Sequence, residues 1–174
     1  MNQSMPRKRA DELFDAAFAA KWGARQGLDG ETRAVHRAVL RCLLAGSGPA
    51  ASAEIAAKAG LALDRVEAAL DRLDTADFLL VSEGRVHLAY PLSAAPTGFA
   101  VALEGGRLCH ACCAIDALGL PAMTGEPAII RAACHHCGEA LTLRVGPEGP
   151  ADAHEVVVWV GERGDLRGKA CDAL

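Results

Sequence analysis

The residues best able to do chemistry stand in two clusters: Cys109-His110-Ala111-Cys112-Cys113-Ala114-Ile115-Asp116, and Cys134-His135-His136-Cys137. Together they hold five of the seven cysteines and three of the six histidines. Thiolates are soft ligands and strong nucleophiles, so a concentration of this kind points to metal chemistry. Two arrangements compete for it. In the first, Cys109-x2-Cys112 and Cys134-x2-Cys137 are paired knuckles, each biting one metal through two sulfurs, which is the ligand set of a structural zinc. In the second, Cys113 and Asp116 lie three apart on a helix and share a face, so a thiol and a carboxyl group can exchange a proton. Asp116 reads equally well as a capping or ion-pairing residue.

The elements that must position these clusters follow from periodicity. Residues 1–9 are expected to be disordered. Leu13, Phe14, Ala17, Phe18 and Trp22 recur at helical spacing over Ala10 to Arg25. A second helix is expected over Glu31 to Leu44, with Val35, Ala38, Val39, Cys42 and Leu43 inward and Arg33, Arg37 and Arg41 outward. Ser52 reads as the cap of a short helix, Ala53 to Ala59, stopped by Gly60. Another helix runs from Leu63 to Leu73, and two strands follow, Phe78 to Val81 and Arg85 to Ala89. That order is the order of a winged helix, placed at 10–89. Its third helix sets Arg65 and Arg72 against Asp64, Glu67, Asp71 and Asp74, which argues against nucleic acid as a partner.

A proline-punctuated linker, 90–98, then leads into a second domain, 99–174. Expected there are a strand over Phe99 to Leu103, a helix from Cys109 to Leu118 ended by Gly119 and Pro121, and a hairpin of Ile129 to Ala133 with Ala140 to Val145. The second cysteine cluster sits in the hairpin turn. A last strand, His154 to Val160, is too apolar for an exposed edge. The fold class is α+β: a winged-helix-like helical domain followed by a small mixed β-sheet domain with a cysteine-bearing helix.

The net charge of −4 over 174 residues argues against a broad nucleic-acid face. No apolar run reaches the roughly 18 residues of a membrane span, and no signal peptide is legible at the N-terminus. The expectation is a cytoplasmic protein with no membrane partner, whose cysteines are ligands, catalytic thiols or buried small hydrophobes rather than disulfides.

The run Tyr90-Pro91-Leu92-Ser93-Ala94-Ala95-Pro96-Thr97, then Cys113-Ala114-Ile115-Asp116-Ala117-Leu118-Gly119-Leu120-Pro121-Ala122-Met123, then Gly125 and the strand to Cys134, resembles the organomercurial (alkylmercury) lyase family. The resemblance implies an enzyme that protonates a carbon–mercury bond to give a hydrocarbon and Hg(II). It implies Cys113 as first thiol and metal ligand and Asp116 as proton donor. It further implies Cys171 as second thiol, and Cys134 as a further cysteine less directly involved. No cofactor is implied beyond external thiols. The implied partners are an organomercurial substrate and small thiols or a mercuric-ion acceptor protein, with Hg(II) as bound product.

Members of that family usually continue beyond the second catalytic cysteine, so the catalytic domain is expected to be truncated at its C-terminus. Cys109, Cys112, His135, His136 and Cys137 are soft ligands that the family pattern does not require. The alternatives to the lyase are therefore a non-enzymatic zinc- or mercury-binding protein using Cys109, Cys112, Cys134 and Cys137, and a metal-responsive DNA-binding regulator. With Cys112 beside Cys113, the second thiol can also come from the first cluster itself.

Overall fold

Spacing of apolar residues decides the helices, and alternation decides the sheet. The computed structural model describes residues 27–46, 48–151 and 156–158. The chain divides into two compact units, Met1–Gly30 and Glu31–Leu174, and nearly all described residues belong to the second. The helix expected over Ala10 to Arg25 and the N-terminal nine residues lie outside them.

Helix α1, Gly30–Leu44, buries Val35, Ala38, Val39, Cys42 and Leu43, the i, i+3, i+4, i+7 stripe of an amphipathic helix. A two-residue strand, β1 (Ala50–Ala51), precedes α2, Ser52–Ala59. Ser52 is the first helical residue and not the cap: Ala51 holds that position, without a side-chain hydrogen bond. Gly60 closes α2 in the left-handed conformation, φ 67°, which only glycine adopts at little cost. Helix α3, Leu63–Thr75, turns Val66, Ala69, Leu70 and Leu73 inward. Strands β2 (Leu79–Ser82) and β3 (Arg85–Ala89) pair antiparallel, and β1 also pairs with β3.

The arginines of α3 are engaged with α1. Arg65 forms an ion pair with Glu31, and Arg72 Nη2 donates to Thr32 Oγ1 at 3.1 Å. Thr32 is the one buried polar residue among the described residues, and Arg72 supplies it with a partner, as burial requires.

The stretch expected to be a linker is built into the sheet. Strand β4, Leu92–Ser93, pairs with β3 on one side and with β6 on the other, and Leu92 is buried. One antiparallel sheet therefore runs β1-β3-β4-β6-β5-β7-β8-β9, with β2 also on β3. Its remaining strands are β5 (Ala100–Leu103), β6 (Leu108–Ala111), β7 (Ala128–Ala133), β8 (Ala140–Gly146) and β9 (Gly149–Pro150). Val101 and Leu103, Cys109 and Ala111, Ala128 and Ile130, and Val145 are buried, at the period of two that a half-buried sheet demands.

Helix α4, Ala114–Thr124, contacts strands β5 to β9 and buries Ala117, Leu120 and Pro121. It runs through Gly119 and Pro121, which were expected to end it, and stops at Gly125 (φ 72°), whose N–H donates to Pro121 O at 2.9 Å. An interior proline typically costs a helix about 3 kcal/mol or more. Here the Pro121 ring is buried, and Thr124 Oγ1 donates to Leu120 O at 3.0 Å within the last turn. The last strand does not form where the chain is described: Val156, Val157 and Val158 have no regular structure and are exposed, Val157 by 60%. No helix of the described residues is long and apolar enough to cross a membrane.

Candidate functional site

The first cysteine cluster does not open a helix; it straddles a strand and a helix. Leu108 is 56% exposed and Cys109 only 3%, with Ala111 buried again, which is strand alternation. Cys109 faces the core, and its thiol donates to Val101 O at 3.6 Å on the neighbouring strand. Burial raises its pKa. Cys109 and Cys112 thus do not share the helical face of Cys113, as a helix from Cys109 would require. Among the described residues no three His, Cys, Asp or Glu side chains come together to hold a metal ion, so the four-cysteine zinc site is not assembled. Cys109 is core-facing and lies level with Val101 and Ile130, four residues short of Cys134 along β7.

Cys113 is the N-cap of α4, with extended backbone (φ −149°, ψ 179°). Its Sγ accepts from Asp116 N–H at 3.4 Å and donates to Asp116 Oδ2 at 3.2 Å. The Asp116 carboxyl also accepts from the backbone N–H of Cys113, and Sγ from that of Ile115. This is a capping box with a thiol in place of the usual hydroxyl. The capping and catalytic readings of Asp116 therefore describe one geometry: the bonds that fasten the helix start also hold a proton donor against a thiol.

The electrostatics of the pair oppose the usual effect of a helix N-terminus, which favours a thiolate. Desolvation dominates and raises the Cys113 thiol from 9.0 to about 11, with the charge of Asp116 and its hydrogen bond adding to it. The N–H donors of Asp116 and Ile115 act in the opposite direction and lose. Asp116 is likewise raised above its ordinary 3.8 by burial, against the hydrogen bonds from Cys113. Burial thus disfavours the charged form of both groups, so a proton that enters the pair is held within it and can pass from one to the other.

What positions the pair is the stretch 90–99, whose role could not be read from composition. Cys112 N–H donates to Pro91 O at 3.0 Å, and Ala111 N–H to Phe99 O at 3.0 Å. Leu92 pairs with Ala111. Thr97 Oγ1 donates to Ala111 O at 2.6 Å and accepts from Phe99 N–H at 3.1 Å. The proline–threonine run before a strand was the available signal for this anchor. Thr97→Val keeps the shape and removes both bonds, leaving a polar group of Ala111 unmatched, at a cost of about 1–3 kcal/mol. It should lower the melting temperature and slow turnover by about tenfold through misplacement of Cys113. A variant unchanged in both would mean that Thr97 does not position the site.

Next to α4, a shallow cleft of about 180 Å³ opens between α1 and α4, its floor formed by Leu40, Leu44, Leu92 and Leu120 and its rim by Arg37 and Arg41. The second cluster occupies the turn between β7 and β8, as expected. There Cys134 accepts hydrogen bonds from the backbone N–H groups of Cys137 and His136 and from the Cys137 thiol, which lower its pKa. Cys171 lies outside the described residues.

An α+β protein, with one antiparallel sheet carrying a thiol–carboxyl pair at the start of its covering helix, is the class defined so far. Residues 92–174 match the family model for alkylmercury lyase, MerB. The chain is 30% identical over 135 residues to an alkylmercury lyase of Staphylococcus epidermidis (strain ATCC 12228 / FDA PCI 1200), covering 75% of this chain and 61% of that protein. It is 27% identical over 137 residues to one of Bacillus cereus, covering 76% and 61%. In fold it is similar to the solved mercury-bound form of MerB2, with a TM-score of 0.62 and 22% identity over 72% of this chain and 61% of that one. Over residues 92–174 the chain is therefore similar to the alkylmercury lyase family. The chain spans about 61% of the length of the curated relatives it matches.

Proposed function

We propose that this chain cleaves the carbon–mercury bond of organomercurials by protonolysis. The observation that carries this reading is the reciprocal pair of Cys113 and Asp116, 3.2 Å between Sγ and Oδ2, within a stretch that matches the alkylmercury lyase family model. A sulfur–mercury bond forms at Cys113 as its proton passes to Asp116. Cys171 is the second thiol, its proton leaving with the displaced ligand of mercury. Two thiolates push electron density onto the soft metal, and the carbon becomes basic enough to take the proton held on Asp116. The carbon–mercury bond breaks, the hydrocarbon leaves, and Hg(II) remains between the two sulfurs until external thiols or a mercuric-ion acceptor protein remove it. No electron is transferred and no cofactor takes part.

Of the winged-helix-like domain expected at 10–89, the part described from Glu31 on acts as a support for the catalytic residues, not as a nucleic-acid reader. The engagement of Arg65 and Arg72 with α1 supports this, since both groups already have partners within the protein. The protein works in the cytoplasm, where thiols stay reduced.

The test is benzene release from phenylmercury by the full chain in excess small thiol. Hydrocarbon produced catalytically supports the lyase. Mercury retained with no benzene formed would replace it with a mercury-sequestering protein.

A further inference from the structure

The cysteine pair that the lyase reaction leaves unused is the one at the tip of the β7–β8 hairpin. The ladder ends at Ala133 opposite Ala140. Beyond it, Cys134 N–H donates to Glu139 O and Gly138 N–H to Cys134 O, both at 2.8 Å. Gly138 takes φ 75°, the left-handed turn that brings the chain back. The result is a closed five-residue loop, Cys134 to Gly138, fixed at both ends to a two-stranded ribbon.

Within that loop the side chains of Cys134 and Cys137 are hydrogen-bond partners. Cys134 Sγ accepts the Cys137 thiol hydrogen and two backbone N–H groups, those of His136 and Cys137. Amides that point at a sulfur are the same donors that hold a metal thiolate in place. Cys137 is exposed and Cys134 half-buried, whereas Cys42 and Cys109 are sealed in the core. No third His, Cys, Asp or Glu joins the pair among the described residues. A tetrahedral cation such as zinc wants four ligands. A soft d10 cation that is content with two thiolates in line does not.

We propose that the Cys134–Cys137 turn is a second soft-cation site, which takes one Hg(II) between its two thiolates, apart from the Cys113 site. Mercury arrives as a bis-thiolate of small thiols, and two exchanges balance the transfer. Each small thiolate leaves with a proton from Cys134 or Cys137 as a new sulfur–mercury bond forms, with no oxidation or reduction. The exposed Cys137 makes the first attack, and Cys134 closes the chelate. This proposal does not depend on the lyase reaction, because it concerns binding of the free ion.

The test uses the full, reduced chain under nitrogen, with Hg(II) added in the presence of a monothiol competitor such as free cysteine. Mercury retained after gel filtration and the sulfur-to-mercury charge-transfer absorption are both recorded. Cys113→Ala, which removes the first site, should still retain one Hg(II) per chain. Adding Cys137→Ser should weaken that retention by about 100-fold or more, since the second bond of a chelate gains from effective concentration. Cys137 is exposed and outside the ladder, so the fold, checked by circular dichroism, should not change. As a second readout, stoichiometric Hg(II) should protect the peptide holding Cys134 and Cys137 from maleimide labelling in Cys113→Ala. Retention unaffected by Cys137→Ser, or labelling of that peptide undiminished by Hg(II), would overturn the proposal.

Discussion

Asp116→Asn is expected to abolish hydrocarbon release from an organomercurial, slowing it by about 10²–10⁴-fold, the usual worth of a positioned general acid. It should do so while making the protein more stable at neutral pH. Asparagine fits the same space and can still accept from the Cys113 backbone and thiol, so the helix cap survives. What it cannot do is deliver a proton to carbon. The stability effect has a definite sign. Burial raises Asp116 above 3.8, so the folded state holds the proton more tightly than the unfolded chain. That contribution is fully present below pH 3.8 and is lost as pH rises through the folded pKa. Above it, the native protein carries a partly buried carboxylate at a cost that asparagine removes. Melting curves of the two proteins should therefore separate at pH 7, with the variant higher, and converge near pH 4. A variant that retains release would sink the proton-donor role. One that melts lower at pH 7 would mean that the carboxylate acts chiefly as a cap.

The same pair shows what could and could not be read from the residues alone. The Cys113-x2-Asp116 spacing pointed to a thiol and a carboxyl group in reach of each other, and they are. The reason given, a shared helical face, was only half right, because Cys113 sits at the cap and the contact is that of a capping box. The error came from reading cysteine density as one helix. Leu108-Cys109-His110-Ala111 is too short for its period of two to stand out beside a neighbouring helical run. The consequence reached the metal question, since Cys109 is core-facing and is not gathered with Cys112, Cys134 and Cys137 among the described residues. The hairpin 128–146 was legible because its strands are β-branched and apolar and are separated by a turn with Gly138. The stretch 90–98 was not, because prolines in an edge-like segment look the same whether the carbonyls are solvated or paired. Pro121 misled for a related reason: a helix accepts an interior proline when tertiary packing compensates it, and packing is not local.

The second large effect concerns how the Cys113 thiolate arises. With its pKa pushed up from 9.0 to about 11, Cys113 should react with iodoacetamide at pH 7.5 about 100-fold more slowly than an ordinary thiol, from thiolate fraction alone. Peptide-resolved alkylation of the full chain distinguishes this from simple occlusion. A raised pKa gives a rate that climbs about tenfold per pH unit to beyond pH 10, whereas that of a shielded but ordinary thiol bends at about pH 9 and is level by about pH 10. In Asp116→Asn the carboxylate charge, which raises Cys113, is gone. Its alkylation should then be faster at every pH below the plateau, though burial, the larger cause, keeps it slower than an exposed thiol. A rate that is already level by about pH 10 in the unmodified chain would contradict the buried-thiol account. The chemical meaning is that the resting site is not a preformed thiolate trap. Its sulfur stays protonated until a thiophilic metal displaces the proton, and the group 3.2 Å away that can take it is Asp116. Binding would then load the acid that the next step consumes, so a thiol with an ordinary pKa at this position would bind mercury readily and leave Asp116 unprotonated.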